Sequence, residues 1–139
     1  MSEVQGAEAQ GYRGYIGSRP LFGNRAAQHV QNIVLRDYAQ RRGLRYLLSA
    51  VEYTMPGCYL ILEDVLNELP QLDGALFYSV FQLPQARERR LAVLERVLGL
   101  GKELHFALEE MVLSSPADIR AIEDLWLVQQ FHARQALGG

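Results

Sequence analysis

The chain has 139 residues, the length of one ordinary domain, and is 49% hydrophobic and 22% charged, which excludes disordered, collagenous and disulfide-rich classes. Its net charge is -2 with a sequence pI near 5.9, so no surplus of basic charge drives sequence-independent attraction to nucleic acid or anionic lipid. The lone Cys58 excludes an internal disulfide or a cysteine zinc site. With no basic, apolar leader and no apolar run long enough to span a bilayer, a cytoplasmic protein is expected.

Residues 1–11 are small and polar and read as a flexible N-terminal segment; residues 12–139 read as a single domain ending in a long helix. Tyr12 to Gly17 is expected to form the first strand. From Asn24 to Arg42 apolar positions recur at helical spacing, with Asn24 as cap and Gly43 as stop. Leu44 to Ser49 is a second strand, and Tyr59 to Leu69 a second helix ending before Pro70. Ala75 to Phe81 is a nearly continuous apolar run, expected to be a central strand covered on both faces. A third helix from Pro84 to about Leu98, a fourth strand from Glu103 to Leu108 and a last helix capped at Ser115 complete the chain.

Four alternations of strand and helix imply a three-layer α/β domain with a mainly parallel sheet of four or five strands. In such sheets ligands sit beyond the carboxyl ends of the strands. The residues expected there are Ser18 and Arg19, Glu52 and Tyr53, Ser79 and Gln82, and Glu109 and Glu110. Together they suit a small polar ligand, anionic or polyhydroxylated, with Arg19 as anchor, Gln82 and Tyr53 orienting it, and Ser18 and Glu52 as further contacts. By strand alternation His105 shares a face with Glu109, so the two are either an acid–base pair or, for His105, a core histidine bonded to a neighbour. His29, one turn after Arg25, either faces this site or is exposed on its helix. No metal-ligand spacing and no glycine-rich nucleotide loop appears, so neither metal nor cofactor is expected. The apolar last helix, with Trp126, Leu127, Val128 and Phe131, either docks on the core or forms a homodimer.

Two resemblances add to this reading. Tyr15-Ile16-Gly17-Ser18, Gln31-Asn32, Asp37-Tyr38, Asp73-Gly74 and His105-Phe106-Ala107-Leu108-Glu109 look like the catalytic domain of serine recombinases of the resolvase type, over residues 12–130. That resemblance implies a resolvase-like fold. Ser18 matches the nucleophile with a one-residue shift, Ile16-Gly17 replaces the arginine expected before it, and Gln82-Leu83-Pro84-Gln85-Ala86 replaces the arginine motif after strand three. Without those guanidinium groups phosphoryl transfer loses its charge stabilisation, so an active recombinase, or a partner in nucleic acid, is not expected. The length is also expected to leave no room for a DNA-binding module. Secondly, Tyr12 to Ile16, Gln28 to Asn32, Glu52-Tyr53-Thr54-Met55 and Tyr78 to Pro84 resemble the sporadic carbohydrate cluster protein family. This implies a small bacterial protein of carbohydrate or sugar-containing product biosynthesis, either an enzyme or a non-catalytic homodimeric module.

Overall fold

The computed structural model describes residues 10–18, 26–53 and 58–138, with side chains of the last helix to 134. Its strands are β1 (Tyr12–Gly17), β2 (Tyr46–Glu52), β3 (Gly74–Phe77), β4 (Glu103–Phe106) and β5 (Met111–Leu113). Its helices are α1 (Gln28–Arg42), α2 (Leu60–Glu68), α3 (Arg87–Gly99) and α4 (Ala117–Gly138). The sheet order is β2-β1-β3-β4-β5. The first four strands pair in parallel and β5 runs antiparallel to β4.

Period-two alternation along β1 sorts the two cores. Tyr15 points to the face where Leu62, Leu66, Leu94 and Trp126 pack, which places α2, α3 and α4 together on that side. Ile16 points to the opposite face, where Leu35, Tyr38 and Ala39 of α1 close over it and Leu76. Helix α1 buries Gln31, Leu35, Tyr38 and Ala39, a stripe at helical spacing that holds one amide among apolar groups. This is the three-layer α/β arrangement that the alternation of elements predicts.

Several boundaries differ from the expected ones for local reasons. Helix α1 starts at Gln28, and Asn24 lies outside the described residues. Gly43 does end it, in the left-handed conformation at φ 70° that glycine adopts without strain. Leu44 belongs to that cap, since its amide bonds to the Ala39 carbonyl, so β2 begins at Tyr46 opposite Tyr12. The apolar run of the central strand leaves the sheet after Phe77. There Ser79 caps a 3-10 turn over Val80–Gln82: its hydroxyl accepts from the Phe81 amide, while the Gln82 side chain accepts from the Ser79 amide. The fourth strand stops at Phe106 and the chain turns back into β5. At the head of α4 the capping group is Asp118, whose carboxylate accepts from the Ser114 and Ser115 amides at 2.9 Å each.

Two tight points set the sheet. A Cβ on Gly74 would stand 2.1 Å from the Glu103 carbonyl oxygen, so only glycine lets β3 and β4 meet there. Between β1 and β2 the register slips, with Arg13 opposite Leu47 but Tyr15 opposite Ala50. The extra residue of β2 is accommodated by Arg13, whose guanidinium donates to the Leu48 carbonyl at 2.8 Å and pairs with Glu68 at 2.8 Å.

Candidate functional site

Both neighbours of β1 are later strands, and the chain reaches them over opposite faces of the sheet: α1 covers one on the way to β2, α2 the other on the way to β3. The order therefore reverses between β1 and β3, the switch point beyond whose carboxyl ends open sheets of this kind bind ligands. A buried amide pair forms its floor. The Gln31 side chain accepts from the Gly17 amide at 3.1 Å and donates to the Gly17 carbonyl at 2.7 Å and the Ala26 carbonyl at 2.9 Å. The Gln82 side chain donates to the Gln31 oxygen at 3.1 Å. Each glutamine thus clamps an end of a strand or turn, and together they bridge β1, α1 and the turn after β3. On the far side of β3, the Glu109 carboxylate accepts from the Ser79 hydroxyl at 2.7 Å and the Val80 amide at 2.8 Å.

Glu52 ends β2 and is only 3% exposed. Its carboxylate accepts from the Tyr15 hydroxyl at 2.8 Å, the Leu62 amide at 2.9 Å and the Ile61 amide at 3.1 Å. Those amides are the first-turn donors of α2, which lack partners within the helix, so Glu52 caps α2 from another element. Its backbone carbonyl also accepts the Ser18 amide at 3.1 Å. Ser18 and Tyr53 sit above this floor, Ser18 half-buried and Tyr53 68% exposed.

Of the residues expected at the site, Ser18, Glu52 and Gln82 converge at the carboxyl ends of β1, β2 and β3, with Tyr53 beside them. Arg19 lies outside the described residues. His29 is exposed on the first turn of α1. His105 and Glu109 are held in separate networks. The strand alternation that would align them ends at Phe106, and Glu109 belongs to the turn that follows. His105 instead faces α1. Its Nε2 donates to Glu103 at 3.0 Å, because a carboxylate only accepts, which leaves Nδ1 to accept from the Tyr38 hydroxyl at 2.8 Å. Glu103 also accepts the Tyr12 hydroxyl at 3.0 Å. Burial pushes the His105 imidazole below its ordinary value, outweighing the Glu103 hydrogen bond that would raise it.

Gln31 is the site residue that residue-by-residue reasoning passed over. Its signal was a lone amide in the buried stripe of α1, in line with Leu35 and Tyr38. Among the described residues no group of three His, Cys, Asp or Glu side chains is placed to hold a metal ion. None of the described helices is long and apolar enough to cross a membrane.

The sheet order and the layers define a resolvase-like α/β domain. Among solved structures the chain is similar to the N-terminal catalytic domain of the TP901-1 integrase, with a TM-score of 0.63 and 16% identity over 88% of this chain and 98% of that one. At that identity the likeness is one of fold. No protein-family model and no curated protein matches the chain, so the resemblance to the carbohydrate cluster family gains no support from these comparisons.

Two measurements test the assignments of Glu52 and His105. Glu52→Ala strands two helix-end amides and a phenol and should cost about 2 to 4 kcal/mol in urea unfolding. Glu52→Gln, which turns an NH2 toward a backbone N–H, should cost at least about 1 kcal/mol. A residue serving only to touch substrate would leave both midpoints unchanged. For His105 the folded value is depressed, so the unfolded chain binds more protons once pH falls below about 6.5, and stability is lost on the way down to the folded value. Wild type should therefore lose more stability than His105→Gln between about pH 7 and pH 5. Equal losses would show that His105 is not held neutral by its surroundings.

Proposed function

We propose that this domain binds a small, polyhydroxylated, sugar-containing molecule at the carboxyl edge of its sheet, and serves the biosynthesis of carbohydrate or sugar-containing products. The observation that carries the reading is the switch point between β1 and β3, where Ser18 and the exposed Tyr53 ring follow the ends of β1 and β2 and the Gln31–Gln82 amides are fixed beside Gly17. An aromatic face beside hydroxyl and amide groups suits a sugar, whose C–H face packs on the ring while its hydroxyls find hydrogen-bond partners. Glu52, Gln31 and Gln82 hold the frame, and Ser18 and Tyr53 are the groups that meet ligand. Arg19, which follows Ser18 directly, is the group that would favour a phosphorylated sugar over a neutral one. The reading stops at binding, because His105 and Glu109 each serve their own network and share no hydrogen-bond partner.

The test is an amide-resonance titration of the 15N-labelled chain with a free hexose, a hexose phosphate and a nucleoside diphosphate hexose. At least one of the three should shift Gly17, Ser18 and Tyr53 in a saturable way, and Tyr53→Ala should weaken that ligand about tenfold, or 1.4 kcal/mol. Arg19→Ala should weaken the phosphorylated ligands alone. Shifts confined to other regions, or none at millimolar ligand, would overturn the reading.

A second reading, that the chain pairs with a copy of itself, is favoured by α4. Trp126 is the last buried side chain among the described residues of that helix, and beyond it Leu127, Val128 and Phe131 lie exposed. They belong to a stretch, residues 125–133, without Asp, Glu, Lys or Arg, so two copies can meet there without burying a charge. Light scattering should give twice the 15.7 kDa chain mass for wild type and the single mass for Leu127→Lys/Phe131→Lys, with thermal stability of the monomer retained. A monomeric wild type at about 100 μM, where micromolar dimers persist, would exclude it.

A further inference from the structure

Among the described helices α1 alone covers its face of the sheet, and two polar bonds set in one apolar stripe fasten it there. At one end Gln31 clamps the Gly17 amide at 3.1 Å and the Gly17 carbonyl at 2.7 Å. Seven residues on, a rise of about 10 Å, the Tyr38 hydroxyl bonds to His105 Nδ1 at 2.8 Å, with the buried Leu35 between the two fastenings. The first fastening sets a neutral amide against backbone. The second ends on an imidazole, the side chain whose charge changes near neutral pH.

The second bond exists in one protonation state only. Because Nε2 gives its hydrogen to the Glu103 carboxylate at 3.0 Å, Nδ1 accepts the Tyr38 hydrogen only while the ring is neutral. A further proton makes both ring nitrogens donors. The Tyr38 hydroxyl must then turn its hydrogen away, and among the described residues this fully buried group has no other acceptor. The surroundings divide over the new charge. Glu103 favours it, and the Tyr12 phenol of β1, edge-on to His105 at 5.1 Å, already draws on that carboxylate, with Asp73 acting on the phenol in turn. From α1, Arg42 stands 4.9 Å and Arg41 5.8 Å from the centre of the Tyr38 ring, and both pair with Glu110 from the turn after β4. Strands β3 and β5 bring only Leu76 and Val112 opposite His105. Burial first, with Arg42 assisting, outweighs Glu103, so the ring takes up its proton below the ordinary histidine value. We propose that His105 is a pH-operated latch on α1: once protonated it releases the Tyr38 end of the helix, and the loosening passes along the stripe to the Gln31 clamp on Gly17. The carboxyl edge is thereby held firm at neutral pH and slack in acid, whatever ligand binds there.

Amide hydrogen exchange of the full 15N-labelled chain, compared at about pH 7.5 and about pH 5 after correction for the intrinsic pH dependence of exchange, reads the latch. Protection of the Leu35, Tyr38 and Ala39 amides of α1 should fall at least about tenfold more in acid than that of Leu94 and Val97 in α3. The Gly17 amide resonance should move with the same midpoint as the His105 ring. His105→Gln, whose amide can donate to Glu103 and accept from Tyr38 but takes up no proton, should keep the ratio of α1 to α3 protection the same at both pH values. In Tyr38→Phe, which keeps the ring and removes the hydroxyl, Gly17 should no longer follow His105. Equal losses in α1 and α3, a Gly17 resonance indifferent to the His105 titration, or the same acid loosening of α1 in His105→Gln would overturn the proposal. Should His105→Gln not fold, the comparison of α1 with α3 in the wild-type chain decides alone. Failure of the sugar titration leaves these outcomes untouched, because every reading is taken without ligand.

Discussion

One buried carboxylate organises the carboxyl end of this domain. Glu52 is nearly sealed from water and gathers a phenol from β1 and two amides from the head of α2. A buried polar group of this kind is tolerable only when its oxygens are filled by donors, so the end of β2, the Tyr15 ring and the start of α2 must hold their positions together. Tyr15 in turn packs at 4.6 Å on Phe77, which stacks edge-on with Phe106 at 5.6 Å. The hydrogen-bonding demand of one side chain is thus passed into the aromatic layer of the core, and the carboxyl edge of the sheet inherits its rigidity from that chain of contacts.

A comparable arrangement holds the other end of the same helical layer. Arg90 is 2% exposed and pairs with Glu123 at 2.6 Å, donates to the Pro84 and Gln85 carbonyls, and lies 4.3 Å above Trp126. It fastens α4 to the start of α3, while the Trp126 indole donates to the Val80 carbonyl at 3.3 Å. Glu123 is held below the usual carboxylate range chiefly by its hydrogen bond from Arg90. Breaking this pair from either side would leave a charge without its partner in a poorly hydrated place, which is far costlier than losing a surface ion pair. The predominance of arginine over lysine in the sequence has at least one structural use here, since a lysine could not meet two carbonyls, a carboxylate and an indole face at once.

The layer architecture was legible in the sequence because period and punctuation agree: Gly43 ends α1 where a stop is expected, and the apolar run from Ala75 to Phe77 is buried on both faces. The ends of β3 and β4 were not legible. Val80 and Phe81 are apolar enough to continue a strand, and only the hydroxyl of Ser79 and the amide of Gln82 bend them into a turn. His105, Ala107 and Glu109 keep a strand's alternation through a segment that has already turned, with Glu110 at φ 54° reversing the chain toward β5. The site shows the same division. Ser18, Glu52 and Gln82 could be placed at strand ends by counting, whereas the donors that occupy Glu52 lie nine and ten residues further on, across a loop whose path no local pattern reveals.

The slipped register of β2 has a consequence for the protein's life in a crowded solution. As the outermost strand, β2 would present an unbroken ladder to any passing chain if its pairing with β1 were regular. Instead it is kinked where Arg13 draws in the Leu48 carbonyl, and the Leu48 side chain is turned outward, 73% exposed. A strand bent at its middle offers two short segments in place of one straight template, so stacking of further strands cannot propagate along it. The same arginine that reconciles two strands within the sheet thereby guards its border against fibrous growth.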